Sequence, residues 1–169
     1  MNDSSDTAIL EDAKSLCNCA MWVVALQYRR LRTGKPVDDD FIFQYQADLE
    51  FLMVALRRLR RAAELAARVP FAQSALCAAI RDFDQALPDL VKMRNVSEHF
   101  DDYILNNQRR RHRDVQSGQL LVNRWDGTQY EWLGGSLNID TAHQAAEKLF
   151  LAVKLVFEEY LKTYPPERI

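Results

Sequence analysis

Apolar residues recur every three or four positions along most of this chain, and that period suits few architectures other than packed helices. Leu10, Ala13, Cys17, Ala20, Val24, Tyr28 and Leu31 trace one face of a first long helix that opens after Asp6, whose carboxylate can accept backbone N–H bonds. Gly34 and Pro36 end it. Asp38, Asp39 and Asp40 are expected to open a second helix, where carboxylates favour the positive end of the dipole. Its inward stripe is Tyr45, Leu49, Leu52, Leu56, Leu59 and Ala63. Arg57, Arg60, Arg61, Glu64 and Arg68 fill the outer side. Pro70 breaks the pattern. A shorter helix over 72–85 turns Ala75, Leu76, Ala79 and Phe83 inward, and Pro88 suits the first turn of the next helix. That long helix carries Leu90, Met93, Val96, Phe100 and Ile104 at helical spacing.

The period then changes. Residues 107–118 are polar and read as an exposed loop. Asp126-Gly127, between apolar-rich runs at 119–125 and 128–133, predicts a hairpin with a two-residue turn. Trp125 would then face Thr128, Asn123 would face Tyr130, and Leu121 would face Trp132. Leu121, Trp125, Tyr130 and Trp132 would share one face and pack on the bundle or on a second subunit. Gly134-Gly135 releases the chain into a short extended stretch. Asp140 or Thr141 caps the last helix, with Ala146, Leu149, Val153, Val156, Tyr160 and Tyr164 inward and Glu158–Lys162 as an exposed pair. Pro165-Pro166 stops it. The expected class is all-α: four long helices plus one short helix, with a small β-hairpin inserted before the last. One domain spans 1–169, with the loop and hairpin insertion at about 107–139.

Composition agrees with a soluble globular domain. At 169 residues the chain can bury about 68–70% of its unfolded surface without help from a metal or a disulfide. Net charge is −2 from 22 basic and 24 acidic residues, which argues against a binder of bulk nucleic acid but leaves room for a local basic patch. Cys17 and Cys19 point to opposite sides of a helix and cannot chelate one ion, and Cys77 stands alone. Sparse, odd cysteines suit a reducing compartment. The N-terminus is acidic and polar, and no apolar run reaches the roughly 20 residues that span a bilayer. The expectation is a cytoplasmic protein with no membrane partner.

Most enzyme signatures are absent: no phosphate-binding Gly-rich loop, no nucleophile elbow, no paired metal-binding helical motifs. One cluster has chemical content, Met93-Arg94-Asn95-Val96-Ser97-Glu98-His99-Phe100-Asp101-Asp102-Tyr103. An imidazole titrates near neutral pH and moves protons, while a guanidinium stays charged and presents a fork of donors to a phosphate. Asn95 and His99 are four apart on one face, so the amide could orient the ring. Arg94 and His99 are about 140° apart on an ideal helix, within reach of a long side chain. The bland alternative is a surface cluster in which Glu98 pairs with Arg94 at i,i+4.

Arg94, Asn95 and His99 resemble the motif of the HEPN superfamily (higher eukaryotes and prokaryotes nucleotide-binding). In that motif an Arg is followed, four to six residues on, by a His, and a polar residue often comes directly after the Arg. The resemblance implies a HEPN-like bundle over roughly 7–163. It also implies a homodimer whose two motifs meet at the interface, and metal-independent cleavage of RNA with no cofactor. His99 would be general acid or base, Arg94 would hold the phosphate, and Asn95 would position the histidine. Several such proteins are toxins or stress and defence effectors, often neutralised by a nucleotidyltransferase-type antitoxin. Toxins of that kind commonly carry a Tyr two residues after the His, where this chain has Asp101. Arg109, Arg110, Arg111 and Arg113, just beyond the motif, are candidate RNA-phosphate contacts. Trp125, Tyr130 and Trp132 can stack on bases but more readily pack. His143 reads as incidental. The alternative function is a catalytically inactive HEPN-like helical protein that binds nucleotide, RNA or a protein partner.

Overall fold

The computed structural model describes residues 5–34, 43–105 and 112–165. Asp38, Asp39, Asp40 and Pro36 lie outside them. Among the described residues, six α-helices and a small sheet follow in the order α1 (Asp6–Thr33), α2 (Gln44–Ala66), α3 (Pro70–Ala86), α4 (Leu90–Glu98), α5 (Phe100–Ile104), β1 (Asn123–Trp125), β2 (Gln129–Trp132), β3 (Gly135–Asn138) and α6 (Ile139–Thr163). None of these helices is long and apolar enough to cross a membrane.

The first helix follows its stripe closely. Ser5, rather than Asp6, accepts the capping bond from the Ala8 N–H, and Gly34 closes the helix in the left-handed region at φ 61°. Gln27 is buried where Tyr28 was expected, and Tyr28 is half-buried beside it. The α1–α2 pair is antiparallel: the Cys17 thiol reaches the Leu59 carbonyl at one level, and Arg30 pairs with the buried Asp48 at 3.0 Å at another. Along α2, Leu49, Leu52, Leu56, Leu59 and Ala63 are buried, and Tyr45 is half-buried. They join Leu10, Leu76, Met93 and Leu149 in one core, each fully buried leucine contributing about 1.5–3 kcal/mol.

Four further expectations need correction. The shorter helix begins at Pro70, where a missing N–H costs nothing, and runs 17 residues. It buries Ala72 and Ile80 while Ala75 is exposed. The motif helix is not one long element. It stops at His99, whose backbone leaves helical geometry at φ −123° and ψ 34°, and α5 resumes for five residues. Beyond that break Tyr103 is buried, and Phe100 and Ile104 are exposed. In α6, Asn138 rather than Asp140 or Thr141 is the cap, Tyr164 is exposed, and Glu158 pairs with Lys154 at 3.8 Å instead of Lys162.

The fourth correction is the hairpin. Trp125 pairs with Tyr130, not Thr128, and Asn123 pairs with Trp132. Gly127, at φ 97°, takes the first central position of the turn, and Asp126 Oδ1 accepts the N–H groups of Thr128 at 2.9 Å and Gln129 at 2.7 Å. The shift is two residues, so Trp125, Tyr130 and Trp132 keep a common face, as expected. Leu121 lies outside the strands and is 91% exposed. The stretch after Gly134-Gly135 is a third antiparallel strand, giving a sheet of order β1-β2-β3. Leu133 and Gly134, both at positive φ, make the tight β2–β3 turn.

Leu133 is held in that costly conformation by burial in a second, smaller core with Val96, Tyr103 and Val115, with Leu120 and Trp132 at its edge. Trp132 Nε1 donates to the Leu120 carbonyl at 3.1 Å. The motif segment therefore has two anchors, Leu90 and Met93 in the main core and Val96 and Tyr103 in the second.

Candidate functional site

Arg94, Asn95 and Glu98 meet on the last turns of α4. The Arg94 guanidinium donates through Nη1 to Asn95 Oδ1 at 3.1 Å and pairs through Nη2 with Glu98 Oε2, leaving 23% of the side chain exposed. Adjacent helical positions and the i,i+4 step make both contacts local. They fix the rotamer of a long cation that would otherwise sample solvent. Asn95 is thus turned to Arg94, and its side chain does not hold the His99 ring as expected. The helical bond between the His99 N–H and the Asn95 carbonyl, 3.1 Å, is their link.

His99 is exposed at the break between α4 and α5. Its carbonyl accepts the N–H of Asp102 at 3.1 Å, which folds Asp101 and Asp102 back toward its ring. One imidazole nitrogen and one oxygen from each carboxylate lie within 4.8 Å of one another. Two hard oxygens and an imidazole nitrogen are donors that a divalent cation accepts. The same carboxylates lower the electrostatic potential where a phosphate would approach the ring. The structure therefore serves guanidinium and imidazole by different neighbours, Asn95 and Glu98 for one, Asp101 and Asp102 for the other.

Beyond α5, Arg109, Arg110 and Arg111 lie outside the described residues. Arg113 is exposed in a turn. Its neighbours are tied down: Lys92 of α4 pairs with Asp114 at 2.6 Å, His112 sits 3.6 Å from the same carboxylate, and the His112 N–H donates to the Tyr103 hydroxyl at 3.1 Å. The Lys92 ammonium foremost, with the backbone N–H of Asp114 itself, holds the Asp114 carboxyl below the ordinary carboxylate range. Tyr130 is buried, and Trp125 and Trp132 are half-buried against the cores, so packing is the role the geometry gives these rings. His143, at the first turns of α6, has a packing role. It stacks on Tyr28 with centroids 4.3 Å apart, and its Nδ1 lies 3.5 Å from Glu147.

The outer arginine stripe of α2 is not uniformly solvated. Arg60 reaches α3, donating to both oxygens of Asp84 at 2.6 and 2.7 Å, and also pairs with Glu64. These bonds raise its pKa further. Arg57 is partly buried and has no ion pair or hydrogen bond among the described residues. Burial pushes its pKa down, the charge of Arg60 adds to that, and Arg61 and Arg94 push the same way against Glu64. Periodicity alone placed Arg57 on the outer side of α2, and the structure leaves it partly buried there.

An apolar groove of about 550 Å³ lies between α1 and α2, lined by Leu16, Val23, Phe51 and Val54 among others. A smaller exposed apolar rim adjoins His99, where Phe100, Ile104 and Leu105 are 56%, 63% and 77% exposed.

Compared with known protein families, curated proteins and solved structures, the chain matches none.

Proposed function

We propose that this chain is a HEPN-like, metal-independent endoribonuclease that works as a homodimer, with Arg94, Asn95 and His99 of each copy at the shared cleft. The observation that carries the reading is a solvent-reachable imidazole just over one turn beyond a guanidinium whose rotamer is fixed by Asn95 and Glu98. The exposed rim of Phe100, Ile104 and Leu105 gives a second copy an apolar seat beside His99, and a two-fold axis there brings the second histidine to the first.

In this reading His99 takes the proton of a ribose 2′-hydroxyl while its oxygen bonds to the adjacent phosphorus. The P–O5′ bond breaks, and the partner subunit's His99, protonated, gives its proton to the leaving oxygen. The products are a 2′,3′-cyclic phosphate and a 5′-hydroxyl. Arg94 offsets the charge that gathers on the phosphate oxygens. Arg109, Arg110, Arg111 and Arg113 add sequence-independent phosphate contacts.

Asp101 and Asp102, folded against His99, favour a second reading: a catalytically inactive HEPN-like module that binds RNA, nucleotide or protein without cleaving. Incubating the purified chain with single-stranded and structured RNA in EDTA separates the two. The enzyme reading expects cleavage that falls by about two orders of magnitude or more in both Arg94→Ala and His99→Ala, with their helical signal and melting preserved. Intact RNA under every condition selects the binding module. Light scattering that returns a monomer at assay concentration removes the shared cleft.

A further inference from the structure

The groove between α1 and α2 opens on a face that no described element covers. Leu16, Val23 and Leu26 of α1 stand exposed along it, as does Phe51 of α2 at 59%. The buried stripes of both helices occupy other arcs, so the core has no use for these side chains. On α2, Glu50, Phe51, Val54, Arg58 and Arg61 fall within about 100° of arc. Glu50, Arg58 and Arg61 are exposed and make no ion pair among the described residues. Along the helix the order is acid, apolar, base.

We propose that this face is a second self-association surface, and that its occupant is the same face of another copy, with α2 antiparallel to α2. Glu50 and Arg58 lie four positions either side of Val54. A two-fold axis level with Val54 therefore brings Glu50 of each copy level with Arg58 of the other. Two ion pairs result, with Phe51 and Val54 of both copies between them. A parallel arrangement would set Arg58 on Arg58 and repel. A foreign helix bearing only acids would satisfy Arg58 and Arg61 but leave Glu50 against like charge. The size also fits. α2 has 23 residues and runs about 34 Å beside α1, so two helices about 10 Å across present a face projecting over roughly 700 Å². A standard interface takes about 800 Å² of accessible surface per partner. This surface is separate from the His99 rim on α5 and does not depend on the nuclease reading.

Light scattering across a concentration series reads the association of the full chain and its variants. Phe51→Glu should weaken it about ten-fold or more with the helical signal unchanged, since Phe51 is exposed in the single chain. Glu50→Arg and Arg58→Glu each set like charges level with one another and should each weaken it about ten-fold. The double swap restores opposite charges and should return to within about three-fold of the wild type. Cys19 lines the groove, so its maleimide labelling should slow as protein concentration rises, while exposed Cys77 on α3 labels at a constant rate. A wild type that stays monomeric at every concentration overturns the self-docking and leaves the face to a different protein. Wild-type mass in Phe51→Glu, or a Cys19 rate that ignores concentration, also overturns it. A double swap no better than the single ones overturns the antiparallel pairing. Ile104→Glu, on the His99 rim, keeps the two readings apart. If it alone dissociates the chain, the shared cleft stands and this surface falls. If Phe51→Glu alone does, this surface stands and the cleft falls. A loss of one association step in each supports both.

Discussion

Gly135→Ala should change sign with the identity of residue 89. Gly135 opens β3 and pairs with Trp132. Its φ is not in the left-handed region, so alanine fits the backbone and, by restricting the unfolded chain, would stabilise by about 0.4–1 kcal/mol. The Cβ, however, would stand 2.5 Å from Asp89 Cγ and 2.8 Å from both carboxylate oxygens. Asp89 must swing away. Doing so breaks the 2.9 Å bond in which its Oδ2 accepts the Ser136 N–H, the link between the start of α4 and the sheet. Hydrogen bonds to charged groups contribute about 1.5–3 kcal/mol, and partial exposure reduces this one to about 1–2. The net expectation for Gly135→Ala is a loss of about 1 kcal/mol, or a melting temperature about 2–4 °C lower for a chain of this size. In an Asp89→Ala background the obstruction is gone, and the same substitution should stabilise. Urea denaturation of the four proteins in the cycle reads both effects. An effect of the same sign in both backgrounds would refute the steric assignment.

Two further outcomes follow from side-chain environment. Cys17 is buried, and burial pushes its thiol up to about 12, whereas Cys19 and Cys77 are exposed. Maleimide labelling of the native protein at pH 8, counted by intact mass, should therefore add two groups and reach three only after denaturation; three in the native state would contradict the α1–α2 packing. Asp140 accepts from Tyr28 Oη at 2.9 Å and from Arg32 Nε at 3.1 Å, and Arg32 foremost holds its pKa below the usual carboxylate range. A lowered folded-state pKa stabilises above the unfolded value and is lost in acid. The stability gap between wild type and Asp140→Asn should thus be full at neutral pH and close as pH falls below about 4. A gap that instead widened in acid would reject the linkage.

Much of the fold was legible because the strongest signals were local. The stripe from Leu10 to Leu31 and the one from Leu49 to Ala63 each place buried residues on one face of an uninterrupted helix. The end of α1 at Gly34 needed only the conformational freedom of one residue. Errors gathered where a distant neighbour sets the outcome. Phe100 and Ile104 continued a helical stripe on paper, yet the chain breaks at His99 and Tyr103, one residue before Ile104, enters the second core with Val115 and Leu133. The hairpin followed the same pattern: Asp126-Gly127 marked the place, and the Asp126 carboxylate moved the turn one position on.

The candidate site divides along the same line. Arg94, Asn95, Glu98 and His99 were visible as a cluster because they lie within one short segment, and the Arg94–Glu98 pair is a property of helical spacing. Asn95 turning to Arg94 rather than to His99 was not visible, since one amide within reach of two partners is settled by rotamers. The Arg60 link to α3 was not visible either, because Asp84 lies 24 residues further along the chain and meets Arg60 only once α2 and α3 pack.

By itself the sequence determined where helices run and which residues carry charge or titrate, since both depend on groups a few bonds or one turn apart. Tertiary structure decided which arginines meet a distant counter-ion, which aromatic is buried and which strand pairs with which. Those outcomes depend on solvent exclusion and on charges brought together from distant parts of the chain, and such distances do not exist until the chain has folded.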